Sequence, residues 1–123
     1  MREHVSIDSI DKFIRENAWF NFCVSSFSGV DLKIHGGIDL TVSRQLEITF
    51  VGVLCYFGTF DWKSDTAKTV FDVPAGDELR ALNLKYEIEV GYSIFRFTPE
   101  YHTNPVIIAA EGISVDFSEV PYG

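Results

Sequence analysis

Residues 30 to 50 read VDLKIHGGIDLTVSRQLEITF, and the reading of His35-Gly36-Gly37 inside them decides the fold. The apolar residues Val30, Leu32, Ile34, Ile38, Leu40 and Val42 all occupy even positions, so an extended chain carries them on one face. A two-residue turn at Gly36-Gly37 would set Ile34 against Asp39 and Leu32 against Thr41, placing polar side chains on the buried face. A three-residue loop over His35-Gly36-Gly37 instead pairs Ile34 with Ile38, Leu32 with Leu40 and Val30 with Val42, while Lys33 meets Asp39 on the wet face. Such a loop needs a left-handed residue at its third position, which Gly37 supplies without a Cβ penalty. Carried through Ser43-Arg44-Gln45, the same count pairs Val42 with Leu46, Leu40 with Ile48 and Ile38 with Phe50. A three-stranded meander is expected.

His-Gly-Gly stretches also lend backbone N–H groups to the oxyanion holes of some esterases. That role requires a GxSxG nucleophile elbow, and neither FSGVD (27–31) nor any other stretch supplies one. The helices that would flank a hydrolase sheet are missing as well, so the loop reading is preferred.

Outward from this stretch, Ile7, Ile10, Phe13 and Ile14 fall at helical spacing, with Ser6 or Asp8 as N-cap and Asn17 near the stop. One helix over about residues 7–17 follows. From WFNFCV (19–24) onward the period shortens to short pieces rich in Val, Ile, Phe and Tyr, separated by Gly, Pro, Asp and Ser. In VGVLCYF (51–57) both parities are apolar, as in a strand covered on both faces or bent at Gly52. DWKSDT (61–66) reads as a polar loop and TVFDV (69–73) as a short strand ended by Pro74. Leu82, Leu84, Tyr86, Ile88 and Val90 alternate with Asn83, Lys85, Glu87 and Glu89, the cleanest strand pattern in the chain. SIFRFT (93–98), VIIAA (106–110) and ISVDF (113–117) complete the set. The expectation is a single domain over residues 1–123, mainly β (α+β): one N-terminal helix, then eight or nine mostly antiparallel strands over 19–117, forming a sandwich or partly open barrel. The tail 118–123 is expected to be mobile.

A chain of 123 residues with eleven Phe, five Tyr and two Trp has material for one well-filled core. Its formal charge of −8 repels phosphate backbones and anionic lipid surfaces and attracts basic proteins. Neither a nucleic acid nor a membrane is an expected partner. No apolar leader precedes the helix, and Ile48 to Phe60 is too short to span a bilayer, so a cytoplasmic location is expected. Cys23 and Cys55 sit in apolar runs without zinc spacing and are expected to be reduced, buried thiols. With three histidines in the chain, neither a metal nor another cofactor is expected.

Three candidate sites remain. Glu100, Tyr101 and His102 lie together in TPEYHTNP (98–105), where a histidine beside a carboxylate can act as a general base for a small hydrolase or isomerase. An exposed hairpin loop is the simpler account of that segment. Glu87 and Glu89 would sit about 7 Å apart on one strand face, but a solvated face explains them better than glycoside hydrolysis does. Trp62 stands between charges in FDWKSD, so with Asp61 and Asp65 it is the candidate protein-binding group, if it is not folded over the core edge.

The strand rhythm from FSGVDLKI (27–34) through LEITFVGV (46–53) to FRFTPEYHTNPVIIAAEGISVDF (95–117) resembles small bacterial β-rich domains, including immunity proteins of toxin systems. The resemblance implies a non-enzymatic cytoplasmic protein that binds another protein. On this reading the chain is an acidic, non-catalytic binding module with a basic protein partner. The alternatives are the Glu100/His102 enzyme and a homo-oligomeric structural protein pairing through an exposed sheet edge or face.

Overall fold

The computed structural model describes residues 7–101 and 104–122. Helix α1 (Ile7–Arg15) is followed by strands β1 (Phe20–Ser28), β2 (Asp31–Gly37), β3 (Ser43–Arg44), β4 (Leu46–Phe57), β5 (Asp61–Ser64) and β6 (Phe71–Asp72). Helix α2 (Gly76–Tyr86) precedes β7 (Ser93–Phe97), β8 (Val106–Asp116) and β9 (Val120–Pro121). Seven strands form one sheet in the order β5-β1-β2-β4-β8-β7-β6, curled into a half-barrel, while β3 and β9 pair separately. The mainly β fold with its N-terminal helix is thus as expected, and of the two closures considered the partly open barrel is the one formed.

The concave face holds the core. Phe20, Phe22, Phe50, Phe71 and Phe97 are all fully buried there, each burial stabilising by roughly 1.5–3 kcal/mol. Helix α1 closes this face with Ile10 and Ile14, and its Asn17 side chain donates to the carbonyls of Phe13 and Ile14 to satisfy the helix end. Asp11 reaches across to accept the N–H groups of Val70 and Phe71 at 2.8 and 2.9 Å. The edge at β6 is thereby held by the helix instead of a further strand.

The three-residue loop at His35-Gly36-Gly37 does not form. These residues are the end of β2, where Gly36 pairs with Leu46, Ile34 with Ile48 and Leu32 with Phe50. On its other side β2 pairs with β1, Val24 opposite Ile34, after a turn at Gly29 with φ 65°. Neither Gly36 nor Gly37 has positive φ. The parity rule is nevertheless obeyed, since Leu32, Ile34, Leu46, Ile48 and Phe50 are all buried. Parity fixes which face a residue takes and leaves its partner open, because any connection that preserves it satisfies the same count. Ile38 and Val42 are exposed, in a connection organised by Asp39, which accepts from the N–H and hydroxyl of Thr41.

The alternating stretch 82–90 is also not a strand. Its first half belongs to α2, whose half-buried Leu79, Leu82, Asn83 and Tyr86 recur at helical spacing, while Leu84 and Val90 are exposed. Asp77 and Glu78 in the first turn and Lys85 in the last suit the helix dipole. Glu87, at φ 54°, ends the helix in the left-handed region. Tyr86 stacks on Phe57 with centroids 4.2 Å apart. Arg96 donates to both oxygens of Asp72 and to Glu78, fastening the helix to the outer face of the sheet.

Asp61–Ser64, read as loop, is strand β5, with Trp62 opposite Phe22. VIIAA and ISVDF are one strand, β8. Of the two readings of residues 51–57, the bend holds: Gly52 has φ 62° and the register shifts between Val53 and Cys55. The tail does not hang free, because β9 pairs with β3 and the Tyr122 N–H donates to the Val42 carbonyl at 2.8 Å. Among the described residues no helix is long and apolar enough to cross a membrane.

Candidate functional site

Pairing of β4 with β2 ends at Phe50 opposite Leu32, and beyond the bend at Gly52 β4 continues along β8 alone, from Val53 opposite Ala110 to Phe57 opposite Ile107. A cavity of about 360 Å³ results, lined by Val24, Phe27, Leu32, Val53, Leu54, Cys55, Tyr56 and Phe60. Val24, Val53 and Tyr56 also pack against the main core, which makes the floor of the groove continuous with it. Its walls are aromatic. Tyr56 and Phe60 stack at 6.0 Å with an interplanar angle of 5°, and the Tyr56 hydroxyl donates to the Thr59 carbonyl. Burial pushes that phenol up to about 12. Phe60 is 72% and Phe27 60% exposed, so two aromatic rings stand in water beside an apolar hollow. Strand β5 covers β1 only from Phe20 to Cys23, which leaves the stretch carrying Phe27 at a sheet edge among the described residues.

Carboxylates stand on the neighbouring strands. Asp31 precedes Leu32 and accepts the Gly52 N–H at 3.1 Å. The Glu111 carboxylate lies where a Cβ at Gly52 would stand, and Asp61, opposite Cys23, alternates with the buried Trp62 and faces away from the groove. Among the described residues neither Asp31, Glu111 nor Asp61 has a cation within ion-pair distance. The lysines on the same strands are engaged elsewhere: Lys33 lies 3.9 Å from Glu47 and Lys63 sits over the Trp19 ring.

A second cluster runs across the convex face. Asp61, Cys23, His35, Glu47 and Asp116 are successive cross-strand partners on β5, β1, β2, β4 and β8. A thiol, an imidazole and a carboxylate in line are the groups of a nucleophile, its base and its orienting partner. Here they are not so arranged. His35 meets Glu47 through Nε2 at 2.9 Å and the Tyr122 hydroxyl through Nδ1 at 2.5 Å, so neither ring nitrogen is left for the thiol. Burial, and then the Asp61 carboxylate, push Cys23 above the ordinary thiol value, whereas a nucleophilic cysteine needs it lowered. The Tyr122 ring stacks on His35 with centroids 5.9 Å apart. This row clasps the C-terminal segment to the sheet.

Trp62 is not presented to a partner. It is 5% exposed, stacked on Phe22 at 5.4 Å and edge-on to Phe97 at 5.1 Å, because pairing of β5 with β1 turns it into the barrel. Its indole N–H is buried with no acceptor among the described residues. The exposed aromatic of that segment is Phe60, two positions earlier. Asp61 is exposed, while Asp65 is half-buried and accepts the Ala67 N–H at 3.0 Å in a turn.

In the TPEYHTNP segment the Glu100 N–H donates to the Lys63 carbonyl at 2.8 Å. Tyr101 is 83% exposed, its phenol raised by its hydrogen bond to Glu100. His102 lies outside the described residues. Glu87 and Glu89 follow α2 and do not share a strand face. Cys23 and Cys55 are free thiols, half-buried where full burial was expected, and burial raises Cys55 as it does Cys23. Among the described residues no three His, Cys, Asp or Glu side chains are grouped to hold a metal.

The groove was missed in the sequence, although Phe27 left a trace as an apolar residue off the even parity. The two-parity run at 51–57 left another, as a strand that could not commit both faces to one core. Comparison of the chain with protein-family models, curated proteins and solved structures finds no match.

Proposed function

We propose that this chain is a non-catalytic, cytoplasmic protein-binding domain of the immunity type that its strand rhythm resembles, and that the mouth of the half-barrel is its binding surface. The observation that carries this reading is the apolar groove flanked by Phe27 and Phe60, both more than half exposed. Large exposed aromatics beside an apolar hollow are costly in water and are the residues that anchor protein interfaces. The charge of −8 favours a partner with a basic surface, for which a nuclease substrate groove is one chemical example, and would speed encounter more than it tightens the complex. The convex row supports no competing enzymatic reading, since its thiol is raised and its histidine is doubly engaged.

Affinity capture from the source cell tests the proposal when the wild-type chain is compared with the Phe27→Ser/Phe60→Ser variant. A protein retained by the wild type and lost by the variant, at unchanged thermal midpoint, is the expected result. Equal recovery of every partner by both chains contradicts it.

A further inference from the structure

We propose that Cys23 and His35 form a latent thiol–imidazole pair on the convex face, and that the Tyr122 hydroxyl holds it inert by occupying the ring nitrogen that would take the thiol proton. The pair lies apart from the groove and does not depend on the groove being a binding surface. Cys23 on β1 and His35 on β2 are direct cross-strand partners, so their side chains leave the sheet on the same face. A carboxylate only accepts, so the 2.9 Å contact to Glu47 places the ring proton on Nε2 and the lone pair of the neutral imidazole on Nδ1. The Tyr122 hydroxyl fills that lone pair. Glu47 is thus a positioning residue, which keeps the ring basic at the nitrogen that Tyr122 covers. Burial and then Cys23 raise the Tyr122 phenol, with Arg44 opposing and Glu47 adding to the rise, so hydroxyl, thiol and carboxylate share one neighbourhood. Of the other charges near this cluster, Lys33 points at Glu47, Arg44 at Asp116 and Lys63 at the Trp19 ring, while Asp61 lies opposite Cys23. Among the described residues the cation in line to lower the thiol is therefore the imidazolium of His35. A hollow of about 380 Å³, lined in part by Asn21, Cys23, Leu40, Asp61 and Lys63, opens beside the sulfur and admits a small uncharged electrophile such as a haloacetamide. There the sulfur bonds to carbon, the halide leaves with its bonding pair, and the thiol proton passes to Nδ1. The backbone contacts that hold the clasp are two residue pairs between β9 and β3 and the Tyr122 N–H bond to Val42, few enough for an event that withdraws the C-terminal segment to unmask the pair.

The test follows alkylation of Cys23 by iodoacetamide against pH in the full chain, with Cys55→Ser in every variant so that one thiol remains. The midpoint of the rate profile reports the basicity of the sulfur, and the alkaline plateau reports access to it. Tyr122→Phe keeps the ring and frees Nδ1. Its midpoint is expected to fall below that of the parent chain, with alkylation at pH 7 about threefold or more faster, because the gain in thiolate outweighs the lower nucleophilicity of each one. Adding His35→Gln should return the midpoint to that of the parent or higher. An unchanged midpoint in Tyr122→Phe overturns the inference whatever the plateau does, since access alone has then changed. A lowered midpoint that survives His35→Gln also overturns it, because the imidazole is then not the group that takes the proton. Amide exchange of β1, β2 and β4, measured on the same variants, checks that the sheet around Cys23 is kept.

Discussion

Gly36 lies against the ring of Phe20, so that a Cβ at this position would stand 2.6 Å from Cε2 of a side chain that is itself fully buried. Glycine is required there by proximity and not by backbone conformation, since its φ is negative. Gly36→Ala is expected to destabilise the fold by about 1–3 kcal/mol through overpacking. His35→Ala, one position away, should cost less, because it removes surface contacts. Denaturant unfolding of both variants checks the order; a Gly36→Ala midpoint equal to wild type would mean that the Phe20 ring is not seated on β2.

Loss of either side chain in the His35–Tyr122 contact should free the C-terminal segment. Tyr122→Phe removes a hydrogen bond worth about 0.5–1.5 kcal/mol and leaves the ring, so the amide of Tyr122, bonded to Val42, is expected to exchange faster while the sheet amides keep their protection. His35→Ala should show the same pattern more strongly. Unchanged exchange at residues 120–122 in both variants would show that the pairing of β3 with β9 suffices alone.

Tyr56 should govern part of the alkaline response. Its phenol is raised from 10 to about 12 by burial, and an acid whose folded value lies above its unfolded one favours the folded state while protonated. That contribution is complete below pH 10 and is lost as pH rises through about 12. The thiols of Cys23 and Cys55 act in the same sense from their lower ordinary value. Phenolate absorbance followed against pH, wild type minus Tyr56→Phe, should place the missing titration near 12. A difference centred at the ordinary tyrosine value would show that the ring is not enclosed by the groove wall.

Fold class was legible because it depends on period and composition. Helix α1 followed from Ile7, Ile10 and Ile14, the number of strands from the spacing of turn residues, and the bend from Gly52 between two apolar parities. Partner choice was not legible at β2, since Leu32 and Ile34 satisfy the same parity whether they face residues 38–40 or 48–50. At α2 two patterns overlapped. Leu82, Leu84 and Tyr86 alternate as in a strand, while Leu79, Leu82 and Tyr86 repeat as in a helix, and packing of Tyr86 on Phe57 selects the second. Of the two readings of Trp62 the one folded into the core holds, but the sequence left both open because charged neighbours on an edge strand point outward and say nothing of the residue between them. Phe60 is the exposed aromatic of that segment, and only the sheet order reveals it.

Hydrogen exchange of the complex formed with the captured partner tests the binding surface most directly. Slowed exchange is expected in residues 24–32 and 53–60, the two segments that line the groove, with helix α2 and residues 120–122 unaffected. Protection on α2 or on the convex row, with 24–32 and 53–60 exchanging as in the free chain, would contradict it.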